Sequence, residues 1–558
     1  MDVPQLLRKI YAARGVGSTH ELSKSLKDLL PLTDLKGVEQ AAEILAQAII
    51  TGKHILIVAD FDADGATSCA VAMRALRLMG ASQVSYVVPN RFEYGYGLTP
   101  EIVAVAAKQS PDVLVTVDNG ISSIEGVAAA RTAGIQVVVT DHHLPGKELP
   151  AADAIVNPNQ PDDSFVSKNL AGVGVIFYTL LAVRGQLREQ GWFDAQARKE
   201  PNLAELLDLV ALGTVADVVP LDSNNRILVE QGIRRIRAGK ACLGINALLE
   251  VAKRVPAQVV AADLGFAIGP RINAAGRLDD MSLGIECLLS DDPQQARELA
   301  IQLDQLNHAR REIEGDMREQ AMASLDALQL QDKASLALGL CIYDPDWHQG
   351  VIGILAARIR EQLHRPVIAF ARCGDDEIKG SARSIPGLHI RDALDAVASQ
   401  QPELLSKFGG HAMAAGLSLR EQDLPVFQQA FDQEVRRHLG SDDLHEKIQS
   451  DGALEVQDLS MQTAQMLRDG GPWGQGFPEP SFDGVFEVVQ YRLLAEKHLK
   501  MVLRAEHSDI CIDAIAFNAS QKGWPLQPDN VHLVYRLDIN HYRGNSSLQL
   551  MVEHMAAI

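Results

Sequence analysis

Three short apolar runs near the start of the chain each end in acidic or imidazole side chains. That repetition limits the fold more than any other feature. The first run is Ile55 to Ala59, followed by Asp60, Asp62 and Asp64 in HILIVADFDADGATS. The second, DVLVTV, leads into Asp118-Asn119-Gly120, and the third, IQVVVT, leads into Asp141-His142-His143. Unbroken apolar runs of this length read as strands buried on both faces of a parallel sheet. Residues 65–80, 100–109 and 122–133 between them carry helical periodicity, so 51 to about 160 alternates strand and helix. In open parallel sheets, ligands bind beyond the carboxyl ends of the strands. Carboxylates gathered there repel one another and raise each other's pKa values, and a bound cation relieves both. DxDxDG alone also fits an acidic, solvated turn or part of a calcium loop. Its recurrence on three strands points to a metal-dependent site.

The candidate donors are Asp60, Asp62, Asp64, Asp118 and His142, with Asp217 as a further one. Asp217 stands among Val215, Ala216, Val218 and Val219, where an unpaired acid is costly to bury. A structural cap and a carboxylate reaching the metals both fit it. Oxygen donors with an imidazole suit Mn²⁺ or Mg²⁺ better than zinc held by thiolates. The six cysteines are scattered with no CxxC pair. So many carboxylates exceed the needs of one ion. Two ions roughly 3.5–4 Å apart, sharing a bridging carboxylate, would use them, and Asp118 is the candidate bridge. Paired ions of this kind serve phosphoester hydrolysis. The chain has neither a GxSxG elbow nor a P-loop.

At 558 residues the chain should hold roughly three or four domains. Its 47% hydrophobic content contains no apolar run near the ~20 residues that span a bilayer. The N-terminus lacks signal-peptide features, so a cytoplasmic location and no membrane partner are expected. A formal net charge of −20 argues against coating of nucleic acid by a broadly basic surface. A narrow basic groove remains compatible with it.

Residues 1–50 read as a helical segment and 51–290 as the metal-bearing domain. In the loop NRFEYGYGL, Arg91 and Tyr96 fit either substrate contact or a surface turn. Residues 291–330 read as a polar linking helix, 331–445 as a second α/β domain, and 446–558 as a small barrel of oligonucleotide-binding type. In the barrel, Trp473, Phe477, Phe486, Tyr491 and Tyr542 suit either base stacking or the core. The segment from 450 on has 8 Lys+Arg against 14 Asp+Glu, which speaks against strong DNA grip by it alone. The fold expectation is α/β, with a long helix joining two domains and a C-terminal OB-like β-barrel.

A second cluster offers cations and small residues. GPRINAAGRL supplies Arg271 and Arg277, IKGSARS supplies Ser381 and Arg383, and KFGGHAMAAG supplies Gly409, Gly410 and His411. Gly-rich backbone with guanidinium groups suits phosphate. His411 alone fits a hydrogen-bonded core histidine as well. Two domains with a bridging helix imply a cleft, one side for chemistry and one for gripping phosphate or a chain end.

ADFDADG, TVDNGIS, TDHH and GTVADVVPL resemble, in order, the motifs of the DHH phosphoesterase superfamily. HQGVIGILAARI, KGSARS and FGGHAMAAG resemble its associated C-terminal domain. With GPRINAAGRL, the long helix and the barrel, the resemblance narrows to a family of bacterial single-strand-specific exonucleases. It implies a parallel-sheet DHH domain with two Mn²⁺ or Mg²⁺ ions on Asp60, Asp62, Asp64, Asp118, His142 and Asp217. Asp62, Asp118, His142 and His143 would be catalytic, with His143 beside the scissile phosphate. Arg271, Asn273, Arg277, Ser381, Arg383 and Gly409 to His411 would bind the DNA backbone and 5′ end. It further implies 5′→3′ degradation of single-stranded DNA to 5′-mononucleotides in recombination and repair. Partners would be a single-strand-binding protein and a RecQ-type helicase. Some superfamily members carry a histidine where this chain has Val58. A small-substrate phosphodiesterase of the superfamily and a non-catalytic DNA-binding scaffold are the alternatives. The tail argues against the first and the full set of motif acids against the second.

Overall fold

Strand β1 (His54–Ala59) is buried at every position after its first, as an apolar run covered on both faces must be. It pairs in parallel with β2 (Gln83–Val87) on one side and β3 (Val113–Val117) on the other. β4 (Gln136–Thr140) and β5 (Ala154–Val156) extend the sheet, giving the all-parallel order 2-1-3-4-5. Strand order reverses between β1 and β3, so the crevice at their carboxyl ends is the ligand position of such a sheet. Helix Ala63–Met79 follows β1 at once. Asp62 caps it by accepting from the N–H groups of Asp64 and Gly65. On one face, Leu56, Val58, Leu114 and Val139 pack with Leu98, Ile102 and Val127 from helices Pro100–Ala107 and Ile124–Thr132 and the turn before them. Helices Ala63–Met79 and Gly172–Glu189 lie against the sheet as well.

The computed structural model describes residues 3–89, 97–331, 337–374, 376–445, 447–520, 522–527, 529–542 and 544–558. Arg91 and Tyr96 lie outside the described residues. Chain contacts divide the molecule into two compact units. The first comprises Met1–Gly276, Asp280–Leu303 and Gln449–Ile558, and the second Arg277–Asp279 and Asp304–Ile448.

The second unit holds a mixed sheet, β6 (Leu340–Tyr343), β7 (Val367–Arg372), β8 (Glu377–Arg383), β9 (Lys407–Gly410) and β10 (Ala414–Arg420), in the order 6-7-8-10-9. Its core centres on Phe370, Phe427 and Phe431. The 39-residue helix Pro293–Gln331 starts in the first unit and packs Met317 and Ala321 into the second. Back in the first unit, β11 (Phe482–Leu494), β12 (His498–Ala505), β13 (Cys511–Ala516), β14 (Asn530–Tyr542) and β15 (Asn545–Ala557) form a closed barrel. β13 and β15 are its parallel pair.

Two sequence readings change, and one that was open is decided. GPRINAAGRL is helical, Gly269–Leu278, running on from a π-helical turn at Leu264–Ile268. Its backbone N–H groups past the first turn are spent within the helix, so side chains must do the binding. The N-terminal segment, which its helical sequence suggests is peripheral, packs into the first unit instead. Its helix Gln5–Ala13 buries Leu7, Ile10 and Tyr11, and Tyr11 donates to the Gly470 carbonyl at 2.7 Å. Trp473 and Phe477 stack on Tyr11 and on each other and so serve packing. Phe486 is likewise buried, while Tyr491 is exposed. The side chain of Tyr542 is outside the described residues.

Candidate metal centre

The carboxyl ends of β1, β3 and β4 deliver Asp60 and Asp62, Asp118, and His142 with His143. Asp217 arrives at the C-terminal end of helix Leu207–Ala216. Among the described residues, three overlapping groups form: Asp60, Asp62 and Asp118; Asp64, His142 and Asp217; and Asp118, His142 and His143. Within each, donor atoms lie within 4.8 Å of one another. His142 Nε2 is 3.1 Å from Asp118 Oδ1 and 3.5 Å from Asp217 Oδ2. Asp118 belongs to two of the groups, the placement a bridging carboxylate needs.

Burial and crowding perturb the acids strongly. Asp118 and Asp64 are pushed well above the usual carboxylate range, first by burial and then by the neighbouring carboxylates. Asp217 is raised by burial, partly offset by His142. Burial holds the His142 imidazole below its ordinary value against the pull of Asp217. His142 Nε2 and Asp217 Oδ2 are buried and make no hydrogen bond. Buried acceptors of this kind, facing one another, call for an ion. The donor set, carboxylate oxygens with imidazole and no thiolate, fits Mn²⁺ or Mg²⁺.

Asp64 differs from the other acids. Its oxygens accept the N–H groups of Gly172, at 2.7 Å, and Val173, at 3.0 Å. It thus caps helix Gly172–Glu189, whose own N-cap, Ala171, offers no side-chain acceptor. Val58 is fully buried in the apolar layer and supplies no donor.

Asp141 escaped the sequence reading, although it stands in the TDHH motif. Its Oδ1 accepts the N–H groups of His142 and His143 and the His143 Nδ1 at 2.8 Å, and its Oδ2 accepts from Ile121. Burial raises the Asp141 pKa, but these contacts outweigh it and leave the carboxyl below its usual range. Burial pulls His143 down, yet the hydrogen bond and charge of Asp141 lift it to about 9. Asn157 and Asn159 donate to the His143 and His142 carbonyls, holding this turn from beyond β5. Only a cluster of turn formers, NPNQ, marked them in the sequence.

Of the proposed substrate residues, two fall in the first unit. Asn273 Oδ1 accepts the Ala63 N–H at 2.8 Å, beside the metal motif. Arg271 is buried and donates to the Ala267 carbonyl at 2.6 Å. The others fall in the second unit, where the sheet register sets Ser381, Gly416 and Gly409 abreast. Arg383 donates to Ser381 Oγ, and Arg277 to the Gly350 carbonyl. Gly410 has φ of 150°, and a side chain there would meet the Ala414 carbonyl at 2.4 Å. His411 is exposed in the turn between β9 and β10 rather than a core histidine.

Three family models match the chain: the DHH family N-terminal domain over residues 54–214, the DHHA1 domain over 334–437 and the RecJ OB domain over 450–554. The single-stranded-DNA-specific exonuclease RecJ of Dickeya dadantii is 56% identical over 99% of this chain and 96% of its own. The chain belongs to the RecJ family. The RecJ structure from Thermus thermophilus in complex with Mn²⁺ superposes with a TM-score of 0.81 at 30% identity. It covers 100% of this chain and 76% of that one. The Mg²⁺ complex from the same organism gives 0.75 at 29%, covering 99% and 75%. The RecJ family fold thus accounts for the DHH sheet, the second α/β domain and the barrel. Among the described residues, no helix is long and apolar enough to cross a membrane.

Proposed function

We propose that this chain is a metal-dependent exonuclease of single-stranded DNA that works 5′→3′ and releases 5′-mononucleotides in recombination and repair. The observation that carries it is the convergence of Asp60, Asp62, Asp118, His142 and Asp217 at the switch point of a RecJ-family sheet. Together with Asp64, which also caps the neighbouring helix, these residues would hold two Mn²⁺ or Mg²⁺ ions, Asp118 being the candidate bridge. Bound there, divalent ions supply an ionisable water and positive charge at the phosphodiester oxygens.

The protein's own groups do the rest. With Nδ1 committed to Asp141, His143 can meet a phosphate only through Nε2. Without metal, Asp141 lifts this imidazole to about 9, a charged ring at neutral pH; bound cations would pull it down, and the Asp141 hydrogen bond would keep favouring the charged form against them. The charged ring offsets phosphoryl charge and can give its proton to the departing 3′ oxygen as water oxygen bonds to phosphorus. Asn273 ties the substrate-binding helix to the metal motif through Ala63. Arg277, Ser381, Arg383, Gly409, Gly410 and His411 form the candidate phosphate and 5′-end site of the second unit, and Arg271 is the first unit's candidate for a backbone contact. A single-strand-binding protein and a RecQ-type helicase as partners rest on the resemblance alone, and a cytoplasmic location on the absence of signal-peptide features at the N-terminus.

Digestion of 5′- and 3′-labelled single strands with Mn²⁺, Mg²⁺ or EDTA tests activity, metal and polarity together. Asp62→Ala and Asp118→Ala should each remove most turnover while circular dichroism stays native. Near-normal rates in either variant would sink the assignment. The small-substrate alternative predicts equal or better rates on dinucleotides than on long strands, and the 450–554 RecJ OB match speaks against it.

A further inference from the structure

Phe266 is 80% exposed, the most exposed large apolar side chain among the described residues. It sits in the π-helical turn Leu264–Ile268, whose other large apolar side chains, Leu264 and Ile268, are fully buried. A one-residue π expansion pushes one side chain out of the helical register, and such turns gather at functional sites. The turn is anchored, not loose. A side chain at Gly265 would meet Val215 at 3.2 Å, and one at Gly269 would meet Ala216 at 3.1 Å. The π turn therefore lies against the last turn of the helix that delivers Asp217.

The turn continues directly into helix Gly269–Leu278. Its less buried positions, Phe266, Pro270 and Asn273, recur at helical spacing and define one outward face. Asn273 on that face is hydrogen-bonded to Ala63 in the metal motif. At 1.5 Å per residue, Phe266 stands about 10 Å along the axis from Asn273, a spacing of a few nucleotides. Val218, the residue after Asp217, is also 61% exposed. An aromatic ring exposed to water, on a turn packed against the end of the helix that delivers Asp217, has the form of a stacking platform.

We propose that Phe266 stacks on a base of the single strand, near the scissile phosphodiester, and holds the strand in register with the metal centre. This rests on the single-strand exonuclease reading above. Stacking tolerates any base, which suits an enzyme that must pass every sequence. A base held in a duplex stack cannot offer its face to the ring, so Phe266 also adds to single-strand preference.

The test compares wild type, Phe266→Ala, Phe266→Trp and Phe266→Leu on long oligothymidylate, with and without one abasic position near the 5′ end. Phe266→Ala should raise KM about tenfold, the size of one lost base stack, with kcat little changed. Tryptophan should restore the wild-type KM, and leucine should not. Scanning the abasic position should find one site at which wild type falls to the KM of Phe266→Ala and the variant loses nothing more. Wild-type KM in Phe266→Ala, rescue by leucine, or no sensitive abasic position would overturn the proposal and leave the exonuclease assignment standing. Failure of wild type to degrade the strand at all would take both down.

Discussion

Replacing Asp141 by asparagine isolates one charge at the centre of the TDHH turn. Asparagine keeps one oxygen, able to accept the N–H groups of His142 and His143 that Oδ1 now takes, while its amide nitrogen replaces Oδ2 and gives up the Ile121 N–H, so the His142-His143 end of the turn should survive. What disappears is the anion facing His143 Nδ1 at 2.8 Å. In the wild type that anion overcomes burial and moves the imidazole from 6.5 to about 9. The shift corresponds to roughly 3 kcal/mol in favour of the charged ring. Without it, burial is opposed only by the weaker charges of Asp60 and Asp217, and the midpoint should drop to about 6.5 or below. At pH 7.5 the protonated fraction then falls about tenfold. Ring-proton NMR of the metal-free protein, with His143→Gln for assignment, reads the midpoint directly. Turnover on labelled single strands should fall at pH 7.5 and recover in part towards pH 6. Stability has a defined sign as well. His143 is raised in the fold, so its contribution is full below about 6.5 and is lost as pH rises through about 9. Asp141 is lowered, so its contribution is present above about 4. The melting-temperature deficit of the variant should therefore be largest between these limits and shrink above pH 9. A His143 midpoint unchanged by the substitution would refute the coupling, and with it the charged-imidazole role.

The acid cluster itself gives a metal-dependent outcome. Asp64, Asp118 and Asp217 are all raised in the fold, so in metal-free protein their contribution is present below about pH 4 and lost as pH climbs through their raised values. Divalent ions reverse this, so Mn²⁺ should raise the melting temperature more at pH 8 than at pH 5.5. Scanning calorimetry showing an equal gain at both would contradict the cluster reading. Gly172→Ala places a methyl group 2.5 Å from Asp118 Oδ1 and 2.7 Å from its Cβ. Overpacking of this kind costs about 1–3 kcal/mol, and here the displaced group is the candidate bridge. Titration calorimetry should show weaker Mn²⁺ binding, with turnover falling alongside; wild-type affinity would show that Asp118 is not held there by close packing.

The strands carrying the donors were readable because both faces are covered, which writes an unbroken apolar run into the sequence. β5 was not, since Ala154–Val156 is too short to stand out from its loop. Helix Gly269–Leu278 was read as a Gly-rich approach to phosphate because its glycines mark close packing instead. A side chain at Gly276 would meet the Phe61 carbonyl at 2.0 Å, a contact no local pattern reveals. The same holds for Tyr11, which lies far from Trp473 and Phe477 in sequence and stacks on both in the fold. Asp64 reads as one of the row of metal carboxylates, and it also caps the N-terminus of a helix more than a hundred residues away, which no local pattern reveals.

The donors that matter most sit where regular structure stops. Asp118 has φ of 62°, and Val218, immediately after Asp217, has φ of 64°. Asp tolerates that region through its short polar side chain, whereas a β-branched valine there is strained. Such a conformation persists only when its surroundings over-determine it. They do so here: the Leu221 N–H donates to the Gln475 carbonyl at 2.7 Å, Arg226 holds the Leu221 carbonyl, and Asn225 holds that of Pro220. The segment that follows Asp217 is thus pinned in part by the loop leading into the barrel. A chain whose periodicity announces strands and helices says nothing of these pins. The identities of the ligands are written locally, while their aim is set by contacts that only the folded chain makes.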